Sequence, residues 1–276
     1  MNDKMKYRLA KIPAYLLISI TSVIALIPFY IMFIMGTYKN EEIFKGLRLV
    51  PGNYVLENFK TIMQGDVLTP YLNSVTISLL SVVSCVFVSS LCGYGLSKFE
   101  FKGKKVFKQI LMITLMMPYQ ISLAGYLMEM KWFHLNNTIW PMVFVFFANP
   151  FGAYWMTQYI GSAIPSSLIE SARIDGAGEF RIYSTIVLPL TKPAIITLSL
   201  LIFLWSWNNF IIPLVFVADP KQYTLPLFIS TLGGAYRVDY AAKLLNLTIA
   251  TIPVLVFFSI FSKYLIKGMT IGALKE

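Results

Sequence analysis

Charge is what this sequence has least of. Asp, Glu, Lys and Arg make up only 13% of its 276 residues, against 57% that are apolar. A soluble domain carries about twice that share of charge, roughly 25%, so a water-exposed globule of this length could not cover its surface. Histidine is nearly absent. The one copy, His134, excludes a multi-histidine metal site and a Ser-His-Asp triad. The two cysteines, Cys85 and Cys92, lie seven residues apart on one helical face. They cannot reach each other along a helix, and read as small packing residues. No G-x-x-x-x-G-K-[ST] loop occurs, because Gly103-Lys104-Lys105 lacks both the upstream glycine and the Ser/Thr. The chain is therefore not expected to hydrolyse nucleotide itself.

What the sequence does contain is long apolar runs. Six charge-free windows, 12–38, 67–97, 109–128, 132–169, 193–218 and 244–262, each span at least 19 residues. A bilayer-crossing helix needs about 20, so the expectation is an all-α polytopic membrane protein with six transmembrane helices. The first window follows Lys4, Lys6, Arg8 and Lys11 but is too long for a signal-peptide core, and is read as a retained helix.

The net charge of +10 sorts by side. With a cytosolic N-terminus, segments 1–11, 98–108, 161–192 and 263–276 share one side and hold 15 Lys and Arg. Segments 37–69, 129–138 and 218–244 hold 8. After subtraction of acids the balance is +9 against +1, the asymmetry of a membrane protein with both termini in the cytosol. Basicity is thus spent on orientation, and no nucleic-acid partner is expected.

No span carries an ionisable residue at its centre, which argues against a proton-coupled carrier or a voltage sensor. Prolines do fall within or beside the spans, at Pro28, Pro118, Pro141, Pro150, Pro213 and Pro253 among others. Small residues recur along the second span at Ser74, Ser78, Ser81, Cys85, Ser89 and Cys92. That stripe suits close helix packing, or else a pore-lining face. Helix five carries Trp205, Trp207, Asn208 and Asn209. Aromatic faces plus amides suit a sugar, and equally suit interfacial anchoring and interhelical bonding.

One internal segment is dense in signals. Ser167 and Glu170 stand in capping-box register just after Pro165, and Asp175-Gly176 marks a helix end about two turns later. A second short helix over 178–187 is expected to stop before Leu188-Pro189-Leu190, and Pro193 opens the fifth span. Glu170-Ser171-Ala172, Asp175-Gly176-Ala177 and Ile186-x-Leu188-Pro189 together resemble the E-A-A…G…I-x-L-P loop of permease subunits from ATP-binding-cassette importers. The departure is Ser171, where the pattern prefers alanine. The resemblance extends through Trp207-Asn208, Gln222-Tyr223-Thr224-Leu225-Pro226 and the tail Lys267-Gly268-Met269-Thr270-x-Gly272-Ala273. It is similar to the carbohydrate branch, specifically the maltose-type subunit with six helices and a short tail.

That resemblance implies the type I importer permease fold, with a short cytosolic coupling helix. It implies residues 1–66 as N-terminus, first helix and external segment, 67–268 as a five-helix core with coupling loop 164–190, and 269–276 as a cytosolic tail. Glu170, Ser171, Ala172, Asp175, Gly176 and Ala177 would dock the ATPase. Gly268, Gly272 and Lys275 would reach the ATPase interface. Gly233, Gly234, Ala235, Tyr236 and Arg237 would meet an extracytoplasmic binding protein. Trp205, Trp207, Asn208 and Asn209 are candidates for the substrate path on their side-chain chemistry alone, since in the maltose-type relative the sugar site belongs to the partner permease. The implied partners are a second homologous permease, a cytosolic ATPase dimer that uses ATP and Mg2+, the binding protein, and the lipid of a prokaryotic cell membrane. The chain itself would bind no cofactor or metal and catalyse nothing. An importer of another solute (an amino acid or phosphate), or a secondary carrier, are the alternative readings.

Overall fold

The computed structural model describes the backbone of residues 3–232 and 238–273, and the side chains of 12–232 and 238–262. The described residues are helical, with no strand among them. The helices are α1 (Asp3–Met35), α2 (Val55–Gln64), α3 (Leu68–Lys98), α4 (Lys104–Met116), α5 (Leu123–Trp132), α6 (Trp140–Phe147) and α7 (Pro150–Ala163). They continue as α8 (Ser166–Ile174), α9 (Glu179–Ile182), α10 (Leu188–Leu190), α11 (Lys192–Trp207), α12 (Ile211–Phe216), α13 (Leu225–Thr231) and α14 (Tyr240–Ala273).

Three segments are each long and apolar enough to cross a bilayer: Ile12–Met35, Leu68–Lys98 and Tyr240–Ser262. Two bent pairs meet the same condition jointly. Lys104–Met116 and Tyr119–Trp132 meet at 96°, and Glu179–Leu190 and Lys192–Trp207 at 75°. Of the six expected spans the third is interrupted at Pro118, as its sequence forecast, and the fourth and fifth are interrupted as well. The third breaks at Met117 and Pro118, whose ψ angles of 126° and 124° are extended. The fourth breaks at Asn149, also extended, immediately before Pro150. Proline lacks the N–H that would continue the ladder and pushes its predecessor out of the helical region. The fifth breaks at Asn208, where no proline stands.

The chain divides into two compact units, 1–67 with 229–252, and 68–228 with 253–276. In the first, a Cβ on Gly36 would lie 2.8 Å from the Leu245 backbone nitrogen, so the glycine permits a close helix crossing. Asn58 Nδ2 donates to the carbonyls of Gly36 and Tyr38, both at 2.8 Å, which closes the end of α1. Asn40 receives the Tyr240 N–H and donates to the Val238 carbonyl.

In the second unit α3 is the spine. Ser74, Ser78, Ser81, Cys85 and Ser89 of its small-residue stripe are buried, and Cys92 is half-buried. Opposite them lies α7. A Cβ on Gly93 would come within 2.7 Å of Met156, and one on Gly152 would strike Ser89 Oγ. The stripe is a packing face, which α11 also meets through Ser206 and Ser81 at 3.4 Å. An apolar core built on Cys85, Met156, Ile160, Ile164 and Leu198 runs on into Ile169, Ile182 and Val187. That continuity fixes the segment after α7 to the spine. A second core, with Ile77, Met130, Met142, Ile212 and Phe216, holds α5, α6 and α12.

Candidate functional site

The segment between α7 and α11 is tied down by polar contacts at its base. Lys98 Nζ donates to the Ile164 carbonyl. The hydroxyls of Ser90 and Tyr183 pair at 2.7 Å. Tyr94 donates to Glu179 Oε2 at 2.6 Å, and Arg173 Nε donates to Glu179 Oε1 at 2.6 Å. Arg173 also lies over the Phe99 ring, 5.2 Å from its centroid. Its hydrogen bond, joined by that of Tyr94, holds the Glu179 carboxyl below the ordinary carboxylate range.

Helix α8 ends in a complete Schellman motif. Gly176 N–H reaches the Arg173 carbonyl and Ala177 N–H the Ala172 carbonyl, both at 3.0 Å. Gly176 sits at φ 79°, the left-handed conformation that Asp175-Gly176 forecast. The start of the helix is different from expectation. Pro165 occupies the cap with φ −61° and no side-chain bond forms there. Proline sets that dihedral in advance, so the helix begins at Ser166 and Ser167 falls inside it. The capping box of Ser167 and Glu170 is therefore not formed, and Glu170 is an exposed residue within the helix. Nor does the second helix stop before Leu188. Tyr183–Val187 form a wider π turn, with Leu188 N–H bonded to the Tyr183 carbonyl, and helical structure runs through Pro189 to Leu190.

Of the residues expected to dock an ATPase, Glu170, Ser171, Asp175 and Gly176 are exposed together, whereas Ala172 and Ala177 turn inward against the core. Three apolar side chains complete the exposed rim: Leu168, Ile174 at 86% exposure and Phe180 at 79%. Their signal in the sequence was available. They lie off the face marked by buried Ile169 and Ile182, on a stretch with too much charge to be a span. Gly268 and Gly272 lie in the last turns of α14, while Lys275 falls outside the described residues. So do Gly233, Gly234, Ala235, Tyr236 and Arg237.

A cavity of about 780 Å³ opens where α6, α7, α11 and α12 are interrupted, lined among others by Tyr119, Asn149, Trp205, Asn208, Asn209 and Phe210. Trp205 is 42% exposed and meets Phe151 edge-on at 5.3 Å. Trp207 is separated from this group. It is buried, stacked on Phe203 at 5.7 Å and edge-on to Tyr71 at 5.8 Å. Sequence reasoning missed Tyr119 and Asn149, which come from the breaks between α4 and α5 and between α6 and α7.

Comparison with known proteins places these features in context. The sequence profile described as "Binding-protein-dependent transport system inner membrane component" matches residues 85–271. An arabinooligosaccharides transport system permease protein of Halalkalibacterium halodurans is 32% identical over 257 residues, covering 91% of this chain and 92% of that one. A trehalose/maltose transport system permease protein of Thermococcus litoralis is also 32% identical, over 92% of this chain and 93% of that one. In fold the chain is similar to a subunit of a bacterial ABC transporter involved in the import of the acidic polysaccharide alginate. The TM-score is 0.78 at 22% identity, covering 94% of this chain and 97% of that one.

Proposed function

The chain belongs to the family of binding-protein-dependent transport system inner membrane components, and from that premise we propose that it is a permease subunit of an ATP-driven oligosaccharide importer. It sits in the prokaryotic cell membrane with both termini cytosolic and forms half of the translocation pathway. Its partners are a second permease, a cytosolic ATPase dimer that binds ATP and Mg2+, and an extracytoplasmic binding protein that delivers the sugar. Sugar-transport relatives at 32% identity over nine-tenths of the chain support the substrate class.

The observation that carries the coupling role is the loop after α7. Its exposed rim of Leu168, Glu170, Ser171, Ile174, Asp175 and Phe180 is displayed on a base held to α3 by three hydrogen bonds and by Arg173 over the Phe99 ring just beyond it. Apolar side chains clustered on a water-facing rim suit a protein partner. A rim so anchored transmits a push from that partner to α3, the spine of its unit, instead of absorbing it. The hydrolysis itself belongs to the partner, since this chain has no phosphate-cradling loop.

The test is reconstitution. Purified alone, the chain should hydrolyse no ATP. Combined with its ATPase and second permease, it should support hydrolysis that rises on addition of sugar-loaded binding protein. Sustained Mg2+-dependent hydrolysis by the pure chain would sink this assignment.

A further inference from the structure

The turn that opens α4 carries a charge that its own helix disfavours. Its first four residues, Lys104 to Phe107, hold two lysines and no acid, at the end where the macrodipole opposes cations. Lys102 precedes them and Lys108 follows, so four lysines fall within seven residues. Lys104 is already paired, its Nζ meeting Glu100 Oε1 at 2.7 Å and the Phe99 carbonyl at 2.8 Å. Lys102, Lys105 and Lys108 are exposed and form no ion pair among the described residues.

Lys105 and Lys108 line an open groove of about 1130 Å³ that follows α4. The one acid in its lining is Glu100, which Lys104 occupies. Along the helix the lining changes from these lysines to Met112 and Ile113, which are 47% and 59% exposed. Lys105 and Met112 stand seven residues apart, about 10 Å along the axis. No residue of α4 is buried, so its own unit leaves the groove uncovered.

We propose that this groove binds an anionic phospholipid, its phosphate between Lys105 and Lys108 and an acyl chain along Met112 and Ile113. Charge selects the headgroup. A zwitterionic lipid carries its own cation beside the phosphate and leaves the lysines uncompensated, whereas an anionic lipid offsets both the lysines and the unfavoured helix end. The apolar half of the groove selects a lipid over a free anion, since inorganic phosphate would meet the lysines and nothing of Met112 or Ile113. Basic pockets at the cytosolic ends of membrane helices take up such headgroups. The placement of this turn in the cytosolic leaflet rests on the topology proposed above.

The experiment uses the complete detergent-solubilised transporter, titrated with dioleoylphosphatidylglycerol and with dioleoylphosphatidylcholine, whose chains are identical. Native mass spectrometry reads the affinity, and hydrogen exchange reads the place. Lys105→Gln combined with Lys108→Gln removes both charges. Lys60→Gln, at an exposed lysine of the other unit, is the control.

Phosphatidylglycerol should bind wild type at least about tenfold tighter than phosphatidylcholine and should slow exchange over 104–110. The double variant should lose about tenfold or more of that affinity, at about fivefold per lysine, and the protection with it. Lys60→Gln should lose neither. Equal affinity for the two lipids, an unchanged affinity in the double variant, or an equal loss in Lys60→Gln overturns the site. The same protection from inorganic phosphate overturns the lipid as its occupant. Lipid is counted on this chain whether or not the ATPase stays bound, so loss of the ATPase would tell against the importer assignment alone. External labelling of Lys102→Cys would likewise overturn the topology and leave the groove standing.

Discussion

The Tyr94 hydroxyl and the Glu179 carboxylate meet at 2.6 Å, joining the C-terminal end of α3 to the base of the loop that follows α7. Glu179 is 85 residues downstream, and its second oxygen is taken by Arg173, which lies on the far side of the Gly176 turn. One carboxylate thus ties three segments together: the spine, α8 and α9.

Tyr94→Phe should loosen that tie without disturbing insertion. A hydrogen bond to a charged group contributes about 1.5–3 kcal/mol. Glu179 has a side chain 44% exposed, so solvent screening reduces this to about 1 kcal/mol. Backbone hydrogen exchange over 175–187 should accelerate about fivefold, with α3 unaffected. Unchanged exchange would show that packing alone holds the loop.

The same contact sets a pH dependence. The Glu179 carboxyl is held below its ordinary value of 4.5, chiefly by Arg173 and then by Tyr94. A carboxyl depressed by folding contributes stability that is complete above the unfolded value and is lost as pH falls through the folded one. Exchange of the loop, corrected for intrinsic rates, should be flat from about pH 8 to about pH 5.5 and should quicken only below about pH 4.5. Greater protection on acidification would reverse the sign and refute the tie.

Two glycines two residues apart, on opposite faces of α3, should respond oppositely. At Gly93 a Cβ would collide with the Met156 backbone, whereas at Gly95 nothing lies within 4 Å. Gly93→Ala should cost about 1–3 kcal/mol by overpacking, lowering the detergent-solubilised melting temperature by about 2–10 °C. Gly95→Ala should be neutral or slightly stabilising, since alanine is the better helix former. Equal melting temperatures would mean that α3 and α7 separate easily.

Gly176 separates conformation from bulk. Its surroundings are open but its φ is 79°, so Val should fail for backbone reasons while Asn, which tolerates the left-handed region, is largely accepted. With ATPase co-purification as the readout, Gly176→Val should lose about tenfold, the equivalent of about 1.4 kcal/mol. Glu170→Lys should weaken docking through its exposed charge, because no capping bond exists there to lose. If Val and Asn behave alike, docking does not depend on how α8 closes.

Topology is checked by cysteine labelling at exposed positions. Lys102→Cys and Arg181→Cys should react only from the cytosol and Lys60→Cys only from outside, following the 15-to-8 division of basic residues. External labelling at Arg181→Cys would put the docking loop on the wrong side.

The scarcity of charge determined the class of molecule and the approximate places of its spans, because few residues other than apolar ones tolerate lipid. The run from Glu170 to Ala177 likewise specified its own local geometry. Asp175-Gly176 closes α8 as a short-range signal should, since a left-handed residue after a helix is a requirement of the adjacent backbone. Ser167 shows the limit of such signals. A proline two residues earlier took the cap position, and a pattern that fits a capping box was left inside the helix.

Tertiary structure alone decided which faces look inward. Trp205 borders a cavity and Trp207 is buried in a core, though they are two residues apart in one helix. In water, hydrophobic periodicity would separate such faces. In a bilayer the lipid is as apolar as the protein interior, so the periodicity is erased and both tryptophans read alike. For the same reason the convergence of Tyr119, Asn149, Asn208 and Asn209 from three separate breaks between helices carries no mark in the sequence. Only the tertiary packing of the helices brings those breaks to one place.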